Sequence, residues 1–134
     1  MDMTRTPMKQ VSWIDTIDMV AAVRGSGRGF MVLVCGGLGA PALAMHTQLG
    51  GSMLLLGSAI LAFVVAAVKP GQASNGGLHG AVAAVGAYLL VLPLVLMASA
   101  GRDPAQISMT LAAAVIIGAA AGWADVRRRQ RKTA

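Results

Sequence analysis

The sequence predicts an all-α integral membrane bundle of four transmembrane helices, preceded by a short amphipathic interfacial helix. Three observations carry this. Residues 29–45, 50–68, 78–100 and 104–124 contain no Asp, Glu, Lys or Arg, and about 20 apolar residues suffice for a helix to cross a bilayer core. Hydrophobic residues make up 56% of the 134-residue chain, against roughly 45–50% in soluble domains. The charge is also placed asymmetrically: ten of the eleven Lys and Arg residues lie before the first stretch, between the second and third, or after the fourth.

The N-terminal segment is 1–28. Within it, residues 12–24 read as the interfacial helix. Ser12-x-x-Asp15 has the form of a capping box, and Trp13, Ile14, Ile17, Val20 and Ala21 fall on one face while Asp15 and Asp18 point away. Such a helix suits the membrane surface, with Trp13 at headgroup level. It equally suits packing on the ends of the spans, or docking to a partner. Gly25-Ser26-Gly27-Arg28-Gly29 reads as a hinge into the first span. Residues 1–28 contain three aspartates and no apolar stretch of the signal-peptide kind, so the first span is expected to be retained as a membrane helix.

The four-span domain is 29–124, and 125–134 is a basic tail. The connections differ in charge. Residues 46–49 carry no Lys or Arg, Lys69-Pro70-Gly71 closes the second span, and Asn75-Gly76-Gly77 is a turn before the third. In Gly101-Arg102-Asp103-Pro104, Asp103 is placed to cap the fourth helix and Pro104 to occupy its first turn. The positive-inside rule then sets both termini in the cytoplasm, with 46–49 and 101–103 outside. The expected location is the cell membrane of a bacterium, multi-pass.

What the spans lack bears on function. The layout resembles that of the small multidrug antiporters, but those depend on a membrane-embedded Glu, and this chain has no Glu. Nor does it carry the polar, Phe-rich filter segments of small fluoride channels. An ionisable residue at mid-membrane depth is the usual mark of an ion or proton path, and the spans have no acid, Lys or Arg. No nucleophile, base and electrophile can be assembled, so the sequence predicts no enzyme, no catalytic residue and no cofactor. His46 and His79 fall at opposite membrane faces, and a single cysteine makes neither a disulfide nor a metal site, so no metal is expected. Cys35 reads as a small apolar filler. The net charge of +6 is concentrated beside the spans without aromatic or glycine-rich recognition patterns, which argues against nucleic acid.

Small residues recur at helical spacing. Gly36 and Ala40 mark span one, Ser58, Ala62 and Ala66 span two, Gly80 and Ala84 span three, and Ala114, Gly118 and Gly122 span four. These are the candidate helix-packing residues, because small stripes let backbones approach closely in lipid. The stripes fit packing within one bundle, or an oligomer interface on the Gly118-x-x-x-Gly122 face. Trp13, Trp123, Arg127, Arg128, Arg129, Arg131 and Lys132 are the candidate membrane-surface residues, with anionic lipid headgroups as their partners. Pro41 and Pro93 interrupt spans one and three. Tyr88, the lone phenol, needs a partner in a dry bundle, and Ser58 or Thr110 is placed to supply one. Pro41-x-x-x-Met45 against Pro93-x-x-x-Met97, and Ser52-Met53-x-Leu55 against Ser108-Met109-x-Leu111, hint at a duplicated hairpin.

From Lys69 onward, the segments Asn75-Gly-Gly-Leu-His79-Gly80-Ala-Val-Ala-Ala-Val-Gly86 and Ala-Val-Ile-Ile-Gly118-Ala-Ala-Ala-Gly122 resemble a broad group of small four-helix bacterial membrane proteins to which no activity is attached. That resemblance covers about half the chain. It implies a four-helix membrane fold, and no functional residue carries over from it.

The function expected from the sequence is that of a non-enzymatic small integral membrane protein, an accessory, assembly or membrane-organising subunit, as a homo-oligomer or within a membrane protein complex. A holin-like pore former and half of a small dimeric transporter are the alternatives. The topology is testable by labelling cysteines placed at Thr47 and Ser74 in a Cys35→Ser background. An impermeant reagent added outside is expected to reach position 47 and not 74, and the opposite pattern inverts the orientation.

Overall fold

Asp18 starts the first helix: its Oδ1 accepts a hydrogen bond from the Ala21 amide at 2.9 Å while its own backbone is extended, the geometry of an N-cap. The computed structural model describes residues 17–68, 75–97 and 102–133. Its helices are α1 (Met19–Ala44), α2 (Gln48–Ala67), α3 (Gly76–Met97) and α4 (Pro104–Thr133). There is no strand among the described residues, and each helix is long and apolar enough to cross a membrane.

The helix ends follow from local chemistry. The Asn75 side chain accepts from the Leu78 amide at 3.1 Å and so caps α3. Asp103 accepts from Ala105 at 2.9 Å, and Pro104 opens α4, as the sequence predicts. At the end of α4, Arg131 and Lys132 sit in the last turn, where the helix dipole favours cations. Pro41 and Pro93 both lie within helices.

One expectation is corrected. Residues 19–24 are the first turns of α1, not part of a separate interfacial helix, and 25–29 is continuous helix rather than a hinge. The reason is packing. A Cβ on Gly25 would run into the Ala66 carbonyl, and one on Gly29 would lie 2.8 Å from Ala87 Cβ. These glycines are small because neighbouring helices press on them, and their spacing of four keeps both on one face. Trp13 and the rest of 12–16 lie outside the described residues. At the other end of the chain, α4 runs on through the basic residues as one helix of 30 residues.

The helices form two antiparallel hairpins, α1–α2 and α3–α4, whose members pack on each other more extensively than any other pairs. Helices α2 and α3 each touch all three others, while α1 and α4 barely meet. A twofold relation between the hairpins would pair α4 with α1 as α2 pairs with α3, and only the second contact is developed.

Two layers of core follow. One is built of small residues: Ala66, Ala83 and Ala87, with Gly25 and Gly29 of α1 laid against them. The other holds the larger side chains, Phe63, Tyr88 and Val91, with Ala84 and Ala114. The outside is the reverse of a soluble surface: Val23, Leu38, Leu49, Leu89 and Ile116 are all exposed. Continuous apolar cover of that kind is out of place in water and suits contact with acyl chains.

The tightest seam is between α3 and α4. A Cβ on Gly80 would strike the Gly118 carbonyl, and one on Gly118 would lie 2.5 Å from the Gly80 carbonyl and 2.6 Å from Ala84 Cβ. Gly118→Leu is therefore expected to destabilise the protein by about 3 kcal/mol, the upper range for overpacking. Chemical denaturation in detergent micelles measures this. Gly37→Leu, at a position open to the outside, is the control expected to leave stability within about 0.5 kcal/mol.

Candidate functional site

Because Gly76 packs on Gly122 and Val126, and Gly25 on Ala66, one end of the bundle collects the start of α1, the end of α2, the start of α3 and the end of α4. Seven of the eight described Lys and Arg residues, all but Arg102, belong to this end. Arg102 lies at the opposite end, where its Nε donates to the Leu96 carbonyl at 3.0 Å.

The membrane-surface candidates are arranged along the last turns of α4. Trp123 is 53% exposed, and the Arg127 guanidinium lies 3.8 Å from its ring centroid, a cation–π contact one turn along the helix. Arg129 pairs with Asp125 at 2.9 Å, an exposed i,i+4 pair that stabilises only weakly. Arg128, Arg131 and Lys132 are exposed and point their charge outward from the bundle.

The helix-packing candidates are all buried: Gly36 and Ala40 on α1, Gly80 and Ala84 on α3, Ala114, Gly118 and Gly122 on α4. The structure brings Gly80, Ala84, Gly118 and Gly122 together in the α3–α4 seam. Gly36 faces Ser58 of α2 in the α1–α2 seam instead. The Gly118-x-x-x-Gly122 face is thus occupied by α3 of the same chain.

Polar side chains inside the bundle are turned back on backbone. The Ser26 hydroxyl lies 3.0 Å from both the Ala22 and Ala83 carbonyls and shares its one proton between them, joining α1 to α3. Sequence reasoning missed Ser26 by placing it in a hinge. The signal was there in Ala22, Ser26 and Gly29, spaced as one face. Ser58 donates to the Leu55 carbonyl, Ser108 to those of Pro104 and Ala105, and Thr110 to that of Gln106. Tyr88, 4% exposed, packs in the layer of larger side chains with Phe63, Val91 and Ala114.

His79 is the exception. It is fully buried in the first turn of α3, and neither Nδ1 nor Nε2 has a hydrogen-bond partner among the described residues. No grouping of His, Cys, Asp or Glu among the described residues has the geometry to hold a metal ion.

Cys35 is exposed rather than filling the core. It lines an open groove of about 570 Å³ between α1 and α2, with Met31, Leu54, Gly57 and Leu61. Neither family models, curated proteins nor solved structures give a match to this chain.

A buried imidazole without partners costs free energy that an apolar side chain of similar size does not. His79→Leu is therefore expected to raise stability by about 1 kcal/mol, read from denaturant midpoints in micelles. A fall would show that the ring nitrogens are engaged in the folded protein.

Proposed function

We propose that the chain is a non-enzymatic accessory, assembly or membrane-organising subunit of a bacterial cell membrane, with both termini in the cytoplasm. One observation carries the reading. The hydroxyls of Ser26, Ser58, Ser108 and Thr110 are bound to backbone carbonyls, and the helix seams are closed by glycine and alanine. Such an interior offers no lumen for water and no constellation for chemistry. What remains to act is the outer surface: apolar flanks that meet lipid or partner helices, and a basic end that meets anionic headgroups.

The orientation follows from the same charge. A basic end holding seven cations is favoured on the cytoplasmic side by the positive-inside rule. A homo-oligomer or a larger membrane complex would assemble through the flanks, since the Gly118–Gly122 face is already used within the chain.

A holin-like pore needs a face polar enough to hold water after assembly. Here Ser52 and Ser108 are exposed, but the flanks are otherwise dominated by Leu, Val, Ile and Met. Overexpression is therefore expected to leave the membrane tight. A potential-sensitive dye should report a steady membrane potential through induction. Abrupt depolarisation with release of small dyes would overturn the accessory reading in favour of the pore.

A further inference from the structure

Arg24 and Arg28 stand one turn apart on α1, and residues three and four apart share a helix face. Continuing along that face come Met31 and Cys35. These two, with Val32, form one wall of the open groove, and Leu54, Gly57 and Leu61 of α2 line the other. One strip of α1 therefore carries two cations and then runs directly into an apolar groove. Arg24 is exposed and Arg28 half-buried. Neither makes an ion pair or side-chain hydrogen bond among the described residues.

The depth is as informative as the composition. Helix α1 has 26 residues, about 39 Å at 1.5 Å per residue, against about 30 Å of hydrocarbon. With the uncharged stretch from Gly29 in the hydrocarbon, Arg28 reaches its boundary and Arg24 the headgroup layer, where arginines extend toward phosphate. From that boundary the groove runs inward past Leu61 to Met53 on α2. Eight residues of helix span about 12 Å, close to half the hydrocarbon thickness. That is the depth one leaflet's acyl chain occupies.

We propose that this strip is a binding site for an anionic membrane phospholipid, its phosphate held between Arg24 and Arg28 and one acyl chain lying in the groove between α1 and α2. Charge complementarity selects the head: two cations at the mouth match a phosphate. The uncharged walls match the chain. A second copy docked here about a twofold axis would bring Arg24 and Arg28 toward their own counterparts, and like charges repel. The site shares Arg24 and Arg28 with the basic end of the accessory-subunit reading, but its groove between α1 and α2 is no part of that reading and stands whether or not it does.

The test is native mass spectrometry of the purified full chain in detergent, with phosphatidylglycerol and phosphatidylcholine supplied in equal amounts. Wild type is expected to retain phosphatidylglycerol preferentially. Arg24→Gln with Arg28→Gln should lower that retention at least about tenfold, as expected for two cations near an anionic surface. Arg128→Gln with Arg131→Gln removes equal charge from the headgroup-facing end of α4, away from the groove, and should lower retention clearly less than the Arg24 and Arg28 pair does. Gly57 has open space where a side chain would go, so Gly57→Leu fills the groove without disturbing the bundle. It should lower retention of phosphatidylglycerol at least about fivefold with unchanged helix content by circular dichroism. Equal loss in the two arginine pairs, or full retention in Gly57→Leu, would overturn the site. So would a dimer mass that Gly57→Leu converts to monomer, because the groove would then belong to a second copy. A leaky membrane in the induction experiment would leave all of these outcomes unchanged.

Discussion

Close approach of helix backbones is the condition on which the rest of this structure depends. Between α3 and α4, Gly76 faces Gly122 and Gly80 faces Gly118 so closely that a Cβ on any of the four would meet the other helix's backbone. In lipid there is no hydrophobic drive to bring helices together, since acyl chains are as apolar as leucine. Dispersion between surfaces in contact must do it, and dispersion falls away within a fraction of an ångström of separation. Glycine and alanine supply that contact by removing whatever would hold the helices apart.

The same condition explains where the polar groups lie. Once seams are this tight, there is no room for bridging water, and each hydroxyl must find a carbonyl within reach. Ser58 and Thr110 find theirs one turn back on their own helix. Ser26 reaches across to Ala83 as well, and so becomes the polar link between α1 and α3 in a layer otherwise made of Gly and Ala. Tyr88 is accommodated in the layer of larger residues, with Phe63 and Val91. His79 finds no hydrogen-bond partner among the described residues. Its burial without partners sets it apart from every other polar side chain described in the spans.

Charge is managed by position rather than by pairing. The ion pair of Asp125 with Arg129 lies at the surface, one turn apart on α4. The remaining arginines of the basic end either extend outward from α4 or, like Arg24 and Arg28, stand on the flank of α1. The end of α1 nearest the basic residues therefore has a double character: Gly25 and Gly29 press inward on α2 and α3, while Arg24 and Arg28 look outward from the same two turns.

The number of spans, their order and the side on which charge collects were legible in the sequence. They depend on quantities summed along the chain, namely runs of uncharged apolar residues and the placement of Lys and Arg, and neighbouring helices do not alter those sums. The caps at Asp103 and Pro104 were legible for a related reason: an Asx cap acts within three residues. Tertiary structure decided what lay between elements. Gly25-Ser26-Gly27-Arg28-Gly29 reads as a hinge on its own, because glycine lowers helix propensity wherever it stands. Only the presence of Ala66 and Ala87 opposite turns those glycines into contact points. Whether Gly118 and Gly122 face another chain or α3, and whether Cys35 is buried or lines an outer groove, likewise depends on how each helix is rotated about its axis. In a helix apolar on every face, hydrophobicity leaves that rotation open. Which small residues find a partner backbone to touch is what sets it.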